Sequence, residues 1–323
     1  MLRFRTFRNC DPPVLVGLWR SRIGNPGFQQ PVAVDLLEQL VFGKLYFDYA
    51  GLILAFEDDR PVGFAHAGFG PNATRSGVSV ESGVVSLVLM HPSAGPEVGD
   101  GLLEHCEEYL LRRGARVIYG GGMGSMSPFY LGLYGGSETP GILDADQSSR
   151  RLFASHGYQE DARTFVLRRD LSGFRPAVDR QQREFRRRLI VEVRMDPPTR
   201  DFWEASRWGD FDMTRFELVP RGGGEPLATA TVRSMEPTGA FGGLRAAGLV
   251  EMLVAPNHRR GGLATFLLGE AFRSLAAQGV SVMEAMTAQT NTPAVGLLRK
   301  FGFENAGEGT VFRKTPLTPP STS

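Results

Sequence analysis

Cysteine is nearly absent from this chain: Cys10 and Cys106 are the only two in 323 residues. Two so widely separated thiols exclude a disulfide framework or a zinc cluster. A charge of one sign is also missing. Thirty-six Lys and Arg balance 35 Asp and Glu, a net charge of +1, so no global field draws in nucleic acid. The densest basic run away from glycine, Arg186, Arg187 and Arg188 with Glu184 and Phe185 ahead of it, reads as a solvated face. No apolar run approaches the ~20 residues of a membrane span. Met1 to Arg5 alternates like a strand and leads into no signal core. The expectation is a soluble protein of a reducing cytoplasm with no metal, nucleic acid or membrane partner. A hydrophobic fraction of 42% over this length suggests two globular domains.

What is present concentrates in residues 249–264. An apolar run breaks at Pro256 and gives way to Arg259, Arg260, Gly261, Gly262, Leu263 and Ala264, then to an apolar helix. A helix start leaves its first N–H groups unpartnered, and its dipole favours negative charge there. Glycines let a ligand approach the backbone, and guanidiniums add charge-assisted bonds to phosphate oxygens. Strand, turn and helix together form a candidate pyrophosphate seat.

Arg259, Gly262 and Ala264 meet the pattern Gln/Arg-x-x-Gly-x-Gly/Ala, and residues 291–303, from Asn291 to Phe303, form a second ordered block. Both resemble the GNAT superfamily of N-acetyltransferases. The resemblance implies acetyl-CoA as cofactor, held by residues 259–264. It further implies that the Met252 amide polarises the acetyl carbonyl, that Val254 pairs with the pantetheine arm, and that Asn291 contacts the cofactor. A plain helix cap is the other role open to Asn291. Two family features are missing. Leu298 stands where a tyrosine acid is common, and Gly248 where many relatives carry a glutamate base. Glu251 and Glu284, on neighbouring strands, remain as bases acting through water. Strand alternation puts Glu251 opposite Met252 unless a bulge intervenes. Met252 and Glu251 are the expected catalytic residues.

The same order of elements occurs twice. Residues 84–92 form a strand closed by Pro92, Gly99 and Gly101 open a helix, and residues 149–158 echo 294–303. The fold class expected is α/β (α+β), with two tandem GNAT-like domains, each a mixed, mostly antiparallel twisted sheet flanked by helices. In architecture the chain resembles mycothiol synthase. The boundaries expected are 1–171 for the first domain, 172–187 for a linker, 188–314 for the second domain and 315–323 for a disordered tail. Pro96 replaces the signature arginine in the first copy and removes both a donor and a charge. The first copy also carries roughly 18 extra residues within 120–144, suited to lining a cleft or the contact between domains, or equally to packing as a surface loop. The leading expectation is an N-acetyltransferase acting on a primary amine of a small molecule or peptide N-terminus, with its chemistry in the C-terminal copy. The alternative is a non-catalytic acyl-CoA-binding or regulatory module.

Overall fold

The computed structural model describes residues 1–25, 27, 32–133, 136–176, 178–235 and 243–315; the expected disordered tail, beyond Thr315, lies outside them. The N-terminal half runs β1 (Leu2–Thr6), α1 (Pro12–Arg20), α2 (Val34–Leu37), β2 (Leu52–Glu57), β3 (Arg60–Pro71), β4 (Val78–Met90), α3 (Pro96–Arg112), β5 (Val117–Gly120), β6 (Ile142–Leu143), α4 (Gln147–Ser155) and β7 (Gln159–Asp170). The C-terminal half runs α5 (Arg180–Arg188), β8 (Leu189–Met195), α6 (Phe202–Trp208), β9 (Met213–Pro220), β10 (Ala228–Ser234), β11 (Ala246–Val254), α7 (Leu263–Ala277), β12 (Val282–Ala288), α8 (Thr292–Lys300) and β13 (Glu304–Lys314). No helix among the described residues is long and apolar enough to cross a membrane.

The two halves repeat one plan. Each builds an antiparallel meander, then a parallel pair joined by a crossover helix: β4–α3–β5 in the first, β11–α7–β12 in the second. Asp58 and Asp59 take positive φ of 45° and 67° at the β2–β3 turn, a conformation that short polar side chains tolerate.

The two expected sheets are joined into one. Its order is β1-β2-β3-β4-β5-β13-β7-β12-β11-β10-β9-β8, with β6 beside β13. The last strands change places: β13, from the end of the chain, pairs with β5, and β7, from the first half, pairs with β12. They also pair with each other, so neither half closes its sheet alone.

The segment expected as a linker carries α5, capped by Asp179, which accepts from the Gln182 amide at 2.7 Å. Phe185 packs on Phe266 of α7 with centroids 5.5 Å apart, and Arg186 pairs with Glu270 at 2.7 Å. One of the three consecutive arginines thus docks the helix. Apolar positions of α7 and α8 bury against one face of β9–β12, with Phe266, Leu267, Phe272 and Leu298 inside. The opposite face receives α6 and the long loop of the first half.

That loop joins the halves. Arg233 of β10, almost fully buried, donates to the Ser137 carbonyl at 2.7 Å and the Gly136 carbonyl at 2.6 Å. Trp203 donates its indole N–H to Ser125 O at 3.0 Å, and Arg207 reaches Ser127 O at 3.2 Å. Burial, only partly offset by Glu284 and Glu138, lowers the Arg233 guanidinium to about 10.

Candidate active site

Strand β11 opens the site. Its parallel pairing with β12 ends at Leu249↔Ala285, and beyond this the two strands diverge. Opposite, a bulge between Thr231 and Val232 leaves Val250 without a partner on β10. The extra residue shifts side-chain parity, so Leu249 and Met252 both face α7 while Glu251 faces α6. Ala255 donates its N–H to Leu227 O at 2.9 Å, toward β10. Amides alternate along a strand, so those of Met252 and Val254 point away from β10, into the gap. Two donors therefore face an opening with no strand to take them.

The loop after β11 is wound tightly. Arg260 takes φ of 59° and Gly262 of 85°, both left-handed. Successive amides in such turns point together and form a concave anion seat. Gly262 begins α7 with no side-chain cap, leaving the first amides of the helix open at Leu263 and Ala264. Arg259 folds back, its Nε donating to Val254 O at 3.2 Å. Gly261 adds no Cβ to the exposed loop. Residues 259–264, Met252 and Val254 are thus brought to one opening.

Asn291 caps α8, its Oδ1 accepting from Ala294 N at 3.4 Å, and is exposed at the end of the helix that follows β12. Glu251 is engaged: Arg200, just ahead of α6, donates to its Oε1 at 2.7 Å. Bonds to Glu204 and then Glu251, against partial desolvation, raise the Arg200 guanidinium above its ordinary value. Leu298 is buried in the α7–α8 core. No tyrosine occurs beyond Tyr158, so the C-terminal half holds no phenolic acid.

Gly248 has a steric reason. A Cβ there would lie 2.2 Å from Ser137 Cβ, so the loop of the first half fills the space a glutamate side chain needs. The Ser137 amide donates to Glu284 Oε1 at 2.6 Å, and Arg168 holds Oε2 at 2.9 Å, which leaves this carboxylate fully buried and bound. Beside it lies a cavity of about 430 Å³, walled by Gly136, Pro140 and Asp144 of the loop, Glu284 and Met286 of β12, and Glu308 of β13. Met286 is the first β12 residue past its last pairing with β11, so the cavity reaches the diverging strands.

The first half repeats the bulge, between His66 and Ala67, and the parting of β4 from β5 after Val85↔Gly120. Its gap is filled. Phe153 packs 2.5 Å from a Cβ built on Gly120, and Ile142 lies 2.8 Å from one built on Gly121. The space left is about 20 Å³, room for one water. Pro96 occupies the first turn of α3.

Sequence reading missed Gln181, in the segment taken for a linker. Its Nε2 donates to Gly261 O at 3.1 Å, and its Oε1 lies 3.1 Å from where a Gly262 Cβ would stand. The available signal was Asp179 three residues before Gln182, a capping spacing that announces α5.

Strand divergence, wound loop and uncapped helix thus meet at one open site in the second half. Residues 178–303 match the acetyltransferase (GNAT) family. A search of curated proteins finds no match. Among solved structures, a tandem GNAT protein from the clavulanic acid biosynthesis pathway superposes with a TM-score of 0.67 at 15% identity, covering 97% of this chain and 98% of its own. A GCN5-related N-acetyltransferase from Sphaerobacter thermophilus gives 0.62 at 17%, covering 100% and 98%. A GCN5-related glucosamine N-acetyltransferase region of a fungal multi-domain GH3 β-N-acetylglucosaminidase gives 0.68 at 16%, over 97% of this chain and 38% of that one. Residues 178–303 thus match a GNAT domain, and the chain as a whole has the fold of tandem GNAT proteins.

Proposed function

We propose that the protein is an acetyl-CoA-dependent N-acetyltransferase whose C-terminal half transfers an acetyl group to a primary amine of a small molecule or a peptide N-terminus. The observation that carries this reading is the pair of amides at Met252 and Val254, which face the opening between β11 and β12. Residues 259–264 and the open first turn of α7 suit a diphosphate, and Asn291 borders the opening from α8. Bound acetyl-CoA would supply an activated thioester there.

The chain's own groups divide the remaining work. The Met252 N–H stabilises negative charge developing on the acyl oxygen, a contribution of about 2.7–4 kcal/mol for one such donor. The Val254 amide fixes the direction of an extended arm. Glu251 faces the α6 side and, through its pair with Arg200, acts on a proton only through water. The acceptor enters from the cavity beside Met286, whose carboxylates at Asp144, Glu284 and Glu308 face one lining guanidinium, Arg168. Deprotonating an amine of pKa ~10.4 at pH 7 costs about 4.6 kcal/mol, against about 1 kcal/mol for an α-amine near 7.8. A site whose carboxylates are all engaged is better matched to the α-amine.

The filled gap in the first half, with Pro96, supports assigning the chemistry to the second half alone. A non-catalytic acyl-CoA-binding module is the second reading, favoured by the burial of Leu298 and the engagement of Glu251. Release of free thiol from acetyl-CoA across a panel of α-amines and lysine-type amines tests both. Amine-dependent release supports transfer, and tight binding without release supports the module.

A further inference from the structure

A second recess lies one helical turn from the loop at Gly262. It measures about 310 Å³ and is lined by Thr265 and Gly269 of α7, together with Arg169, Arg175, Arg299 and Lys300. Four cations and no carboxylate face it. Several arginines of the C-terminal half are matched by acids: Arg186 and Arg273 by Glu270, Arg194 by Glu217, and Arg200 by Glu204 and Glu251; others, such as Arg221, hold carbonyl oxygens instead. Among the described residues none of these four makes an ion pair. Arg169 reaches only the Gly302 carbonyl, at 3.5 Å, and lies over the Phe174 ring, while its buried Nε has no partner. Arg299 lies over Phe165. Gathering like charges around a cavity is unfavourable unless an anion neutralises them.

Position narrows the anion. Thr265 stands in the first turn of α7, and Gly269 one turn further on, about 6 Å along the axis. That is the scale separating the diphosphate of a nucleotide from a phosphate on its ribose. Phe174 and Phe301 add apolar rings to the same wall. We propose that this recess takes a phosphomonoester, the 3′-phosphate at the nucleotide end of coenzyme A. The inference rests on the cofactor reading above. The cations come from three segments: β7 of the first half, the connector before α5, and the end of α8. The connecting chain and the exchanged strand β7 thereby complete the cofactor site of the second half.

The test is equilibrium binding of coenzyme A and of dephospho-coenzyme A, which lacks only the 3′-phosphate, to the full chain. Wild type should prefer coenzyme A by about tenfold or more. Arg299→Ala with Lys300→Ala should remove that preference and leave the affinity for dephospho-coenzyme A unchanged. Arg175→Ala, on the exposed connector, should reduce the preference without shifting the unfolding midpoint. Equal affinity of wild type for both ligands overturns the proposal while leaving the diphosphate seat intact, even if inorganic phosphate alone binds the recess. Equal weakening of both ligands by the paired variant also overturns it. Binding of neither ligand to wild type overturns the cofactor reading, and this inference with it.

Discussion

Arg200 Nη2 donates to Glu251 Oε1 at 2.7 Å, tying the one carboxylate of β11 to the segment ahead of α6. A carboxylate held in that ion pair on the α6 side is not placed to reach the amine, and the rate should follow the ionisation of the amine instead. Glu251→Gln should therefore lower kcat/KM for an α-amine by less than about tenfold, where loss of a working general base costs 10²–10⁴. The pH profile of the variant should keep the wild-type rise near the amine's own pKa. A drop of a hundredfold with a displaced profile would identify Glu251 as the base.

Arg259 and Arg260 flank the wound loop, and Arg259 already contacts Val254 O at 3.2 Å. Replacing both by alanine should weaken coenzyme A binding by about 10- to 100-fold, the loss of one or two exposed charge-assisted bonds. Calorimetric titration of wild type should give one site per chain, because Phe153 and Ile142 fill the equivalent gap of the first half. A stoichiometry of two would refute that assignment.

Gly248 faces Ser137, and restoring the glutamate common in relatives should not restore a base. Gly248→Glu places a side chain where Ser137 Cβ already lies 2.2 Å from an added Cβ. The loop must leave, and Arg233 loses its bonds to Ser137 O and Gly136 O. We expect a destabilisation of roughly 2–4 kcal/mol and lower, not higher, activity. Urea unfolding followed beside the thiol-release assay separates the two effects.

Glu270 couples α7 to α5. Burial works against its ionisation, but bonds from Arg186 and Arg273 outweigh it and hold the carboxyl below its ordinary value of 4.5. A depressed folded pKa contributes stability above the unfolded value and loses it as pH falls through the folded one. Glu270→Gln should thus cost about 0.5–1 kcal/mol at pH 7, a discounted figure because both guanidiniums are substantially exposed. The difference from wild type should shrink below about pH 4.5 and vanish in stronger acid. A difference independent of pH would mean the loss is one of packing.

Much of the C-terminal site was legible because it is local. Residues 259–264 announce their turn through two glycines, with Pro256 just ahead of them, and β11 announces itself through its apolar run. The parity of Glu251 against Met252 followed from strand alternation, because the bulge at Val250 lies outside that pair. The exchange of β7 and β13 was not legible. Nothing within either strand names a neighbour more than a hundred residues away. Gln181 was missed for a similar reason: a polar residue in a polar segment gives no sign of the loop it braces. Nor could Gly248 reveal from sequence alone that Ser137 of the other half stands in its space.

The most direct test is Met252→Pro. The Met252 N–H points into the gap and takes no part in the β10–β11 ladder, so proline removes that donor without breaking a ladder bond, together with the side chain's packing on the α7 core. Thiol release with a saturating α-amine, measured beside coenzyme A affinity, should show affinity kept within about threefold and kcat lowered by 10²–10³. An unchanged kcat would contradict the account, as would a wild-type protein that binds coenzyme A and releases thiol to no amine.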